Sequence, residues 1–294
     1  MLWSGLARAQ SHGFAVDRFE PAERGSDWFA AESLDLRGNL RWVAGATLDY
    51  AHDPLVAYDS NGDVAARIVE RQIFAHLGAA LTLSDRFRVG LMVPVLLNSA
   101  GDSVTSGGSS YSPADGAGLG DIRFSADARI LGKYGDPLTL VGGLWLFIPN
   151  GSTRNFASDG AFRMSPRVAV AGLLGHFAYA AKAGAQIRTS SDNFGGEPFG
   201  SEIQLTLASG YRLVDDKLLL GAEAVTSTVV SDSGGFFDRE ATPFELLFGG
   251  HYQQEQMSFG LGAGPGLTHG YGSPAVRVVA SFEWRSAAPK GESL

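Results

Sequence analysis

Cysteine is absent from the 294-residue chain, so a disulfide or a cysteine-ligated metal site is excluded. No stretch approaches the roughly 18 uninterrupted apolar residues that a transmembrane helix needs. The net charge of −8 argues against a nucleic-acid partner. A mean hydropathy of only +0.02 does not exclude the membrane, because barrel strands alternate apolar and polar residues and so dilute the average.

Enzyme signatures are equally scarce. The sequence has no Gly-x-Ser-x-Gly elbow and no His-Glu-x-x-His pair. The glycine pattern at 118–122 opens no helix, so it does not predict a nucleotide site. We therefore expect no enzyme activity, no catalytic residue, no metal and no cofactor. One enzyme hypothesis is kept, an outer-membrane hydrolase with a serine and a histidine at its lipid-facing surface. It is weak because His76 and His251 are predicted to point inward.

The clearest pattern that is present is a hairpin over 118–151. Its first arm alternates apolar residues with charged ones, and successive side chains of a strand point to opposite faces. The apolar set is Ile122, Phe124, Ala126, Ala128 and Ile130, and the polar set is Asp121, Arg123, Ser125, Asp127 and Arg129. A soluble sheet would bury the apolar face, whereas a membrane barrel would turn it to lipid and enclose the charges.

The same alternation repeats along the chain in about twelve strands from Leu40 to about residue 286. Short turns near 85, 134, 175, 215 and 255 alternate with mostly longer loops, an asymmetry typical of bacterial outer-membrane barrels. The expected strands of about 11–15 residues are long enough to cross a bilayer when tilted. The sequence predicts an all-β fold, a closed antiparallel transmembrane β-barrel of about 12 strands in an up-and-down meander. A large soluble β-sandwich or propeller is the alternative.

Four segments follow from this organisation. We expect a signal-peptide remnant at 1–9, because Ala7-Arg8-Ala9 resembles a cleavage site; a disordered terminus is the alternative. Residues 10–39 form a lead-in that is a plug, a periplasmic segment or a partial strand. The barrel covers 40–286, and a polar tail or linker covers 287–294.

The inward face of the predicted barrel is rich in charge. The expected lumen-lining or pore-lining residues are Arg41, Asp49, Arg88, Asp121, Arg123, Asp127, Arg129, Arg163, Arg167, Lys182, Arg188, Glu202, Arg212, Glu223, Glu245, His251, Arg277 and Glu283. Cations outnumber acids in this set, which indicates either an anion-favouring pore or charges that pair across strands and fill the lumen. The glycines at 260, 262, 264 and 266 would leave room for a ligand, a plug or the lead-in, or would permit strand curvature.

The hairpin also carries a family resemblance. Its Gly118-Leu119-Gly120-Asp121 start and its Ile148-Pro149-Asn150-Gly151 end resemble the outer-membrane barrels of the meta-pathway phenol-degradation family, in which the second motif is Leu-Pro-x-Gly. Over about 12–286 the chain is also similar to the barrel portion of myxobacterial-type OmpA-like proteins. The first resemblance implies uptake of hydrophobic or aromatic compounds. The second implies a peptidoglycan-binding domain after the barrel, which this sequence lacks.

These observations predict a passive outer-membrane channel for small, hydrophobic or anionic molecules in a Gram-negative envelope. The alternative is a structural envelope protein, the barrel anchor of an OmpA-like protein without its peptidoglycan-binding domain. The expected partners are outer-membrane lipid and lipopolysaccharide, a small-molecule solute, and peptidoglycan through the missing C-terminal domain; no nucleic acid is expected.

Overall fold

The computed structural model describes residues 14–58, 63–106, 109–111, 116–189, 192–194, 197–230, 237, 241–268 and 270–287. The expected signal remnant at 1–9 and most of the tail at 287–294 lie outside these residues. The strands are β1 (Arg41–Tyr58), β2 (Val64–Leu83), β3 (Phe87–Ala100), β4 (Val104–Ser106), β5 (Ser109–Tyr111), β6 (Gly118–Leu119), β7 (Ile122–Leu131), β8 (Thr139–Ile148), β9 (Arg163–Leu174), β10 (Phe177–Arg188), β11 (Asp192–Phe194), β12 (Glu197–Phe199), β13 (Glu202–Leu213), β14 (Leu218–Val229), β15 (Phe244–Gln254), β16 (Met257–Gly264) and β17 (Val276–Arg285). One 3-10 turn covers Thr153–Asn155.

The long strands form one closed barrel. The main sheet has thirteen strands, of which β6 is a two-residue fragment beside β3, so twelve strands build the wall. Each wall strand pairs antiparallel with its neighbour in sequence, and β1 closes the ring by pairing with β17. Closure gives every wall strand a paired neighbour on both sides, as a lipid environment requires. The predicted antiparallel meander is confirmed.

Strand length departs from the expected 11–15 residues in several strands: β1 has 18 residues, and β7, β8 and β17 have 10 each. β2 has 20 residues, whereas β16 has only 8. β1 pairs with β17 only as far as His52, but it continues to pair with β2 up to Tyr58. The β1–β2 hairpin therefore projects beyond its neighbour at the loop end of the barrel, and strand length there reflects local pairing rather than membrane thickness.

The outer surface is an apolar band. Burial alternates along the strands, and outward side chains such as Leu48, Phe124, Leu207 and Phe248 remain exposed. Near the short turns the band carries aromatic pairs, including Trp42 against Trp284 with ring centroids 4.4 Å apart. Apolar outer faces with aromatic girdles are the mark of barrels embedded in lipid.

The two ends of the barrel differ. Tight connections at 84–86, 132–138, 175–176, 214–217 and 255–256 lie at one end, here called the turn end. Asp85 and Gly175 adopt positive φ there, which lets the chain reverse direction within a few residues. The longer connections lie at the opposite end, here called the loop end. Among the residues that the structure describes, no helix has the length and apolar character needed to cross a membrane.

Candidate functional site in the barrel lumen

The lumen is filled by residues 14–39, which we call the plug. The plug starts at the loop end, where Phe14 packs edge-on against Phe156 at a centroid distance of 6.2 Å. It ends at the turn end, where Asp35 pairs with Arg41 at 2.9 Å. The plug contains no helix or strand, so its main-chain groups need other partners, and the barrel wall supplies many of them.

Glu223 of β14 is the clearest such partner. Its carboxylate accepts hydrogen bonds from the main-chain amides of Phe29, Ala30 and Ala31 at 2.6, 2.9 and 2.8 Å. On the other side of the same segment, Lys182 of β10 donates to the Ala30 carbonyl oxygen at 2.6 Å. One acid and one base, from wall strands separated only by β13, thus bind both the amide and the carbonyl groups of the plug backbone.

Ion pairs join the middle of the plug to the wall. Glu32 accepts from Arg88 at 2.9 Å, and Arg88 also contacts Asp127 at 2.7 Å. Glu23 pairs with Arg123 at 3.1 Å. Arg123 is fully buried, so its charge depends on these partners. Removing either partner of such a pair leaves a buried charge uncompensated.

Trp145 of β8 lies at the centre of this network. Its indole nitrogen donates to Glu23 at 2.7 Å. The guanidinium groups of Arg123 and Arg167 each lie 4.1 Å from its ring centroid, and the Lys182 ammonium lies at 4.5 Å. Cations over an indole face are favourable, most strongly where water is excluded. The tryptophan therefore places three like charges close together around one acidic plug residue.

At the turn end the plug is held by Asp27. Its carboxylate accepts from Arg212 at 2.8 Å, from Arg285 at 2.9 Å and from the Tyr134 hydroxyl at 2.8 Å. Burial and the Asp27 carboxylate raise the pKa of Tyr134 above its ordinary value, so this hydroxyl stays a proton donor. Three wall groups converge on a single plug side chain.

At the loop end the roles are reversed, because a wall loop provides the acid. Asp159 accepts from the Ala15 amide at 2.8 Å and pairs with Arg188 at 2.9 Å and with Arg163 at 3.2 Å. Burial opposes ionisation of Asp159, but the guanidinium groups of Arg163, Arg188 and Arg18 outweigh it and hold its pKa well below the usual range. The first residues of the plug are thereby fastened to the β8–β9 connection.

A strip of small apolar residues lines the lumen nearer the turn end. It consists of Val141, Ala169, Ala171, Ala178, Ala180, Ala208 and Leu219. Trp28, Leu34 and Leu36 of the plug pack against it. Glycines of the wall make room for plug aromatics, since a Cβ at Gly221 would lie 2.7 Å from Trp28 and one at Gly262 would lie 2.7 Å from Phe29. The plug thus has a small hydrophobic core inside a polar lumen.

Little free space remains beside the plug. A cavity of about 40 Å³ lies between Glu20 of the plug and a wall region that includes Trp145, Lys182 and Glu245. A second cavity, of about 20 Å³, lies at the turn end beside Trp28 and Tyr134. Either volume holds no more than one or two water molecules. These two cavities are too small to form a passage for a solute beside the plug.

The structure places the residues expected in the lumen as follows. All of them except Arg129 are buried, namely Arg41, Asp49, Arg88, Asp121, Arg123, Asp127, Arg163, Arg167, Lys182, Arg188, Glu202, Arg212, Glu223, Glu245, His251, Arg277 and Glu283. Arg129 is only half-buried near the turn end, although the register of β7 with β8 pairs it with Val141, which faces the lumen. That these residues, Arg129 included, line a pore stays a prediction.

The basic excess of the wall is balanced by the plug. The expected lumen set holds ten cations and seven acids, an excess of three positive charges. Residues 14–39 hold six acids and three arginines, an excess of three negative charges. Some charges also pair across strands, as Arg167 does with Asp127 at 2.5 Å. The excess therefore gives no support to anion selectivity.

Sequence reasoning missed several lumen residues. Trp145 was not predicted, because both faces of β8 are apolar and alternation therefore does not distinguish them. Only the pairing of Trp145 with Ser125 of β7 shows that it faces the lumen. Arg285 follows the alternation of β17 but lies at the strand end. Asp159 lies in a connection, where alternation makes no prediction. The acids of the plug could be seen in the sequence, but their partners could not.

With this geometry in view, the relatives can be compared. The family model described as "Putative MetA-pathway of phenol degradation" matches residues 45–270, well over half of the chain. The chain belongs to this family. The resemblance of the hairpin at 118–151 is therefore confirmed, whereas the OmpA-like resemblance has no support in these comparisons and stays a prediction. A search of curated protein sequences finds no match.

Two solved structures share the fold of this phenol-degradation-family barrel. The COG4313 outer membrane channel from Pseudomonas putida F1 matches with a TM-score of 0.61 at 15% identity, over 86% of this chain and 98% of that chain. The NanC porin matches with a TM-score of 0.50 at 8% identity, over 83% of this chain and 97% of that chain. At these identities the likeness shows the fold alone. Together with the apolar outer band, it makes the protein an outer-membrane β-barrel of the Gram-negative type.

Proposed function

We propose that this protein is a passive outer-membrane channel for small hydrophobic or aromatic molecules, and that the plug closes it. The observation that carries the proposal is the lumen itself. It holds 26 residues of chain, from Phe14 to Asn39, running from one end of the barrel to the other. Side-chain and main-chain contacts hold this segment, and displacing it would open a passage through the wall of twelve strands.

The solute class follows from the inner wall. The strip of Val141, Leu219 and five alanines is an apolar surface inside a lumen that is otherwise charged. In the closed state Trp28 covers part of it, so the strip already accommodates an aromatic ring. Burying apolar surface of a solute there is favourable by about 25 cal/mol per Å². Membership of a family described by phenol degradation supports the same solute class, and the fold shared with the COG4313 outer membrane channel supports a channel.

A disulfide lock tests the proposal. A Cβ on Gly25 of the plug would lie 3.5 Å from Val43 Cγ2 of β1, within reach of a disulfide. Because the chain has no cysteine, Gly25→Cys with Val43→Cys introduces a single pair. Gly25 has φ of +97°, so the cysteine costs about 1–2 kcal/mol of backbone strain.

Conductance of this double variant in planar bilayers should vanish when the pair is oxidised and return on reduction. Single Gly25→Cys is the matched control and should conduct under both conditions. Current through the open state should be blocked by an added aromatic solute such as phenol. Equal conductance of the oxidised and reduced double variant would contradict the plug as the gate, and absence of current in every state would contradict a channel.

The dense filling of the lumen favours a second candidate, a structural barrel. If the plug never leaves, the protein acts in the envelope by its presence in the membrane. The same experiment separates the two functions, because a structural barrel conducts in neither redox state. Under this second proposal the apolar band contacts outer-membrane lipid and lipopolysaccharide. A peptidoglycan link through a further domain stays a prediction.

A further inference from the structure

Three side chains with metal-ligating atoms meet near the loop end of the lumen. Asp17 comes from the plug, Asp49 from β1 and His76 from β2, and one ligating atom of each lies within 4.8 Å of the others. His76 Nε2 is 3.9 Å from Asp17 Oδ2 and 3.9 Å from Asp49 Oδ2. The site is therefore shared between the plug and the wall.

The histidine is buried without a hydrogen-bond partner. His76 is 4% exposed, and neither its Nδ1 nor its Nε2 has a partner; Asp49, 1% exposed, likewise leaves Oδ1 unpaired. A buried polar group without a partner costs about 1–3 kcal/mol. Phe74 stacks on the imidazole at a centroid distance of 5.6 Å and Phe19 meets it edge-on at 6.2 Å. Two aromatic rings thus hold the imidazole with Nε2 directed toward both carboxylates.

The charged groups around these side chains include more carboxylates than cations, and a bound cation would balance the difference. Arg277 makes a two-pronged pair with Glu245, at 2.7 and 3.1 Å, and these two charges cancel. The same guanidinium also reaches Asp49 Oδ2 at 2.6 Å and Asp17 Oδ1 at 3.0 Å. Three carboxylates, of Asp17, Asp49 and Glu245, thus surround the single guanidinium of Arg277. A buried excess of this size needs compensation.

We propose that Asp17, Asp49 and His76 bind one divalent transition-metal ion of the zinc type. Imidazole and carboxylate ligands suit Zn²⁺, whose bonds to them are about 2.0–2.2 Å long. Such a tetrahedral site sets its ligand atoms ~3.3 Å apart, so the 3.9 Å separations need a contraction of about half an ångström. Arg277, held by Glu245, contacts both carboxylates and so acts as an outer-shell group that orients them.

A metal ion bound at this site would link the plug to the wall. Asp17 belongs to the plug, whereas Asp49 and His76 belong to the barrel, so a bound ion would cross-link the two. Metal binding itself does not depend on the proposed channel function. Only the expected effect of the ion on channel opening rests on that proposal. The ion should stabilise the closed state without contacting the apolar strip.

The binding experiment uses the full chain, purified in detergent, stripped of metal and titrated with Zn²⁺ by calorimetry. We expect one Zn²⁺ per barrel. His76→Gln and Asp49→Asn should each weaken binding by about 100-fold or more, beyond the usual effect of an outer-shell substitution. His251→Gln is the matched control, because His251 is also buried in the lumen but faces Phe29 at 4.2 Å, and binding should be unchanged.

Two further measurements test whether Zn²⁺ binds at this lumen site and whether it holds the plug. His52 and His176 each lie near an aspartate, so His52→Ala with His176→Ala removes these two candidate sites of adventitious binding and should leave the stoichiometry at one. Zn²⁺ should also slow trypsin cleavage at Arg18 and Arg24 of the plug in the wild type but not in His76→Gln. Heat-modifiable gel migration establishes that each variant is a folded barrel. Unchanged Zn²⁺ affinity in folded His76→Gln, or loss of the single site in the surface double variant, would overturn the proposal.

Discussion

Glu223 of β14 and Ala30 of the plug are joined by a hydrogen bond of 2.9 Å from the Ala30 amide to Oε2. The same carboxylate takes the amides of Phe29 and Ala31 at 2.6 and 2.8 Å. One wall side chain thus satisfies three consecutive donors of a segment that has no regular secondary structure. A substitution of Glu223 would therefore disturb the plug backbone directly.

Glu223→Gln should loosen the plug without altering the barrel. The amide cannot accept three hydrogen bonds as a carboxylate does, and hydrogen bonds to charged groups are worth about 1.5–3 kcal/mol each. If one such bond is lost, trypsin should cleave the plug at Arg24 about 10- to 100-fold faster, because cleavage follows the population of the open form. The exposed Glu255→Gln serves as control. Equal cleavage rates in the two variants would show that Glu223 does not hold the plug.

Asp27→Asn should have a larger effect, at the turn end. It leaves the guanidinium groups of Arg212 and Arg285 in the lumen without their common carboxylate. Removing one partner of a buried ion pair costs about 3–5 kcal/mol. Amide hydrogen exchange of the plug should accelerate while the barrel strands keep their protection. Asp215→Asn, at an exposed turn, should change neither, and retained protection of the plug in Asp27→Asn would refute this assignment.

The anchoring of the plug at the loop end should weaken in acid. The pKa of Asp159 is depressed in the closed state, so its contribution is fully present above the ordinary aspartate pKa of about 4 and is lost as the pH falls below it. Release of the plug, followed by proteolysis with an acid-stable protease, should begin to rise as the pH falls below about 4 and should keep rising in stronger acid. In Asp159→Asn this rise should be smaller and release at neutral pH greater. An identical pH profile in the variant and the wild type would rule out Asp159 as the titrating group.

Arginine on the outer face should destabilise the barrel in proportion to membrane depth. Leu207 lies at the middle of β13 and is 47% exposed, whereas Tyr211 lies near the turn end and is 57% exposed. Leu207→Arg should cost about 2–4 kcal/mol of unfolding free energy in liposomes, and Tyr211→Arg only about 0–1. Denaturant titration measures both. Equal costs would contradict the predicted position of the bilayer.

The alternation of apolar and polar residues was sufficient to predict which side chains face the lumen wherever one face of a strand is polar. In β7 it separates Arg123 and Asp127 from Phe124, and the structure buries the first two and exposes the third. It failed in β8, where Trp145 and Leu146 are both apolar and only the pairing register decides which one enters the lumen. At Arg129 alternation still gives the register of an inward residue, opposite Val141, but the side chain is only half-buried at the strand end.

The sequence by itself determined the class of the fold and the inward position of most charges, because a period of two residues is a local property of a strand. The partners of those charges were decided by the tertiary structure. The plug and the wall lie far apart in sequence, and their opposite excesses of charge meet only when the barrel closes around residues 14–39. Charge balance across a closed lumen is a property of the whole ring, so no single strand carries a signal of it.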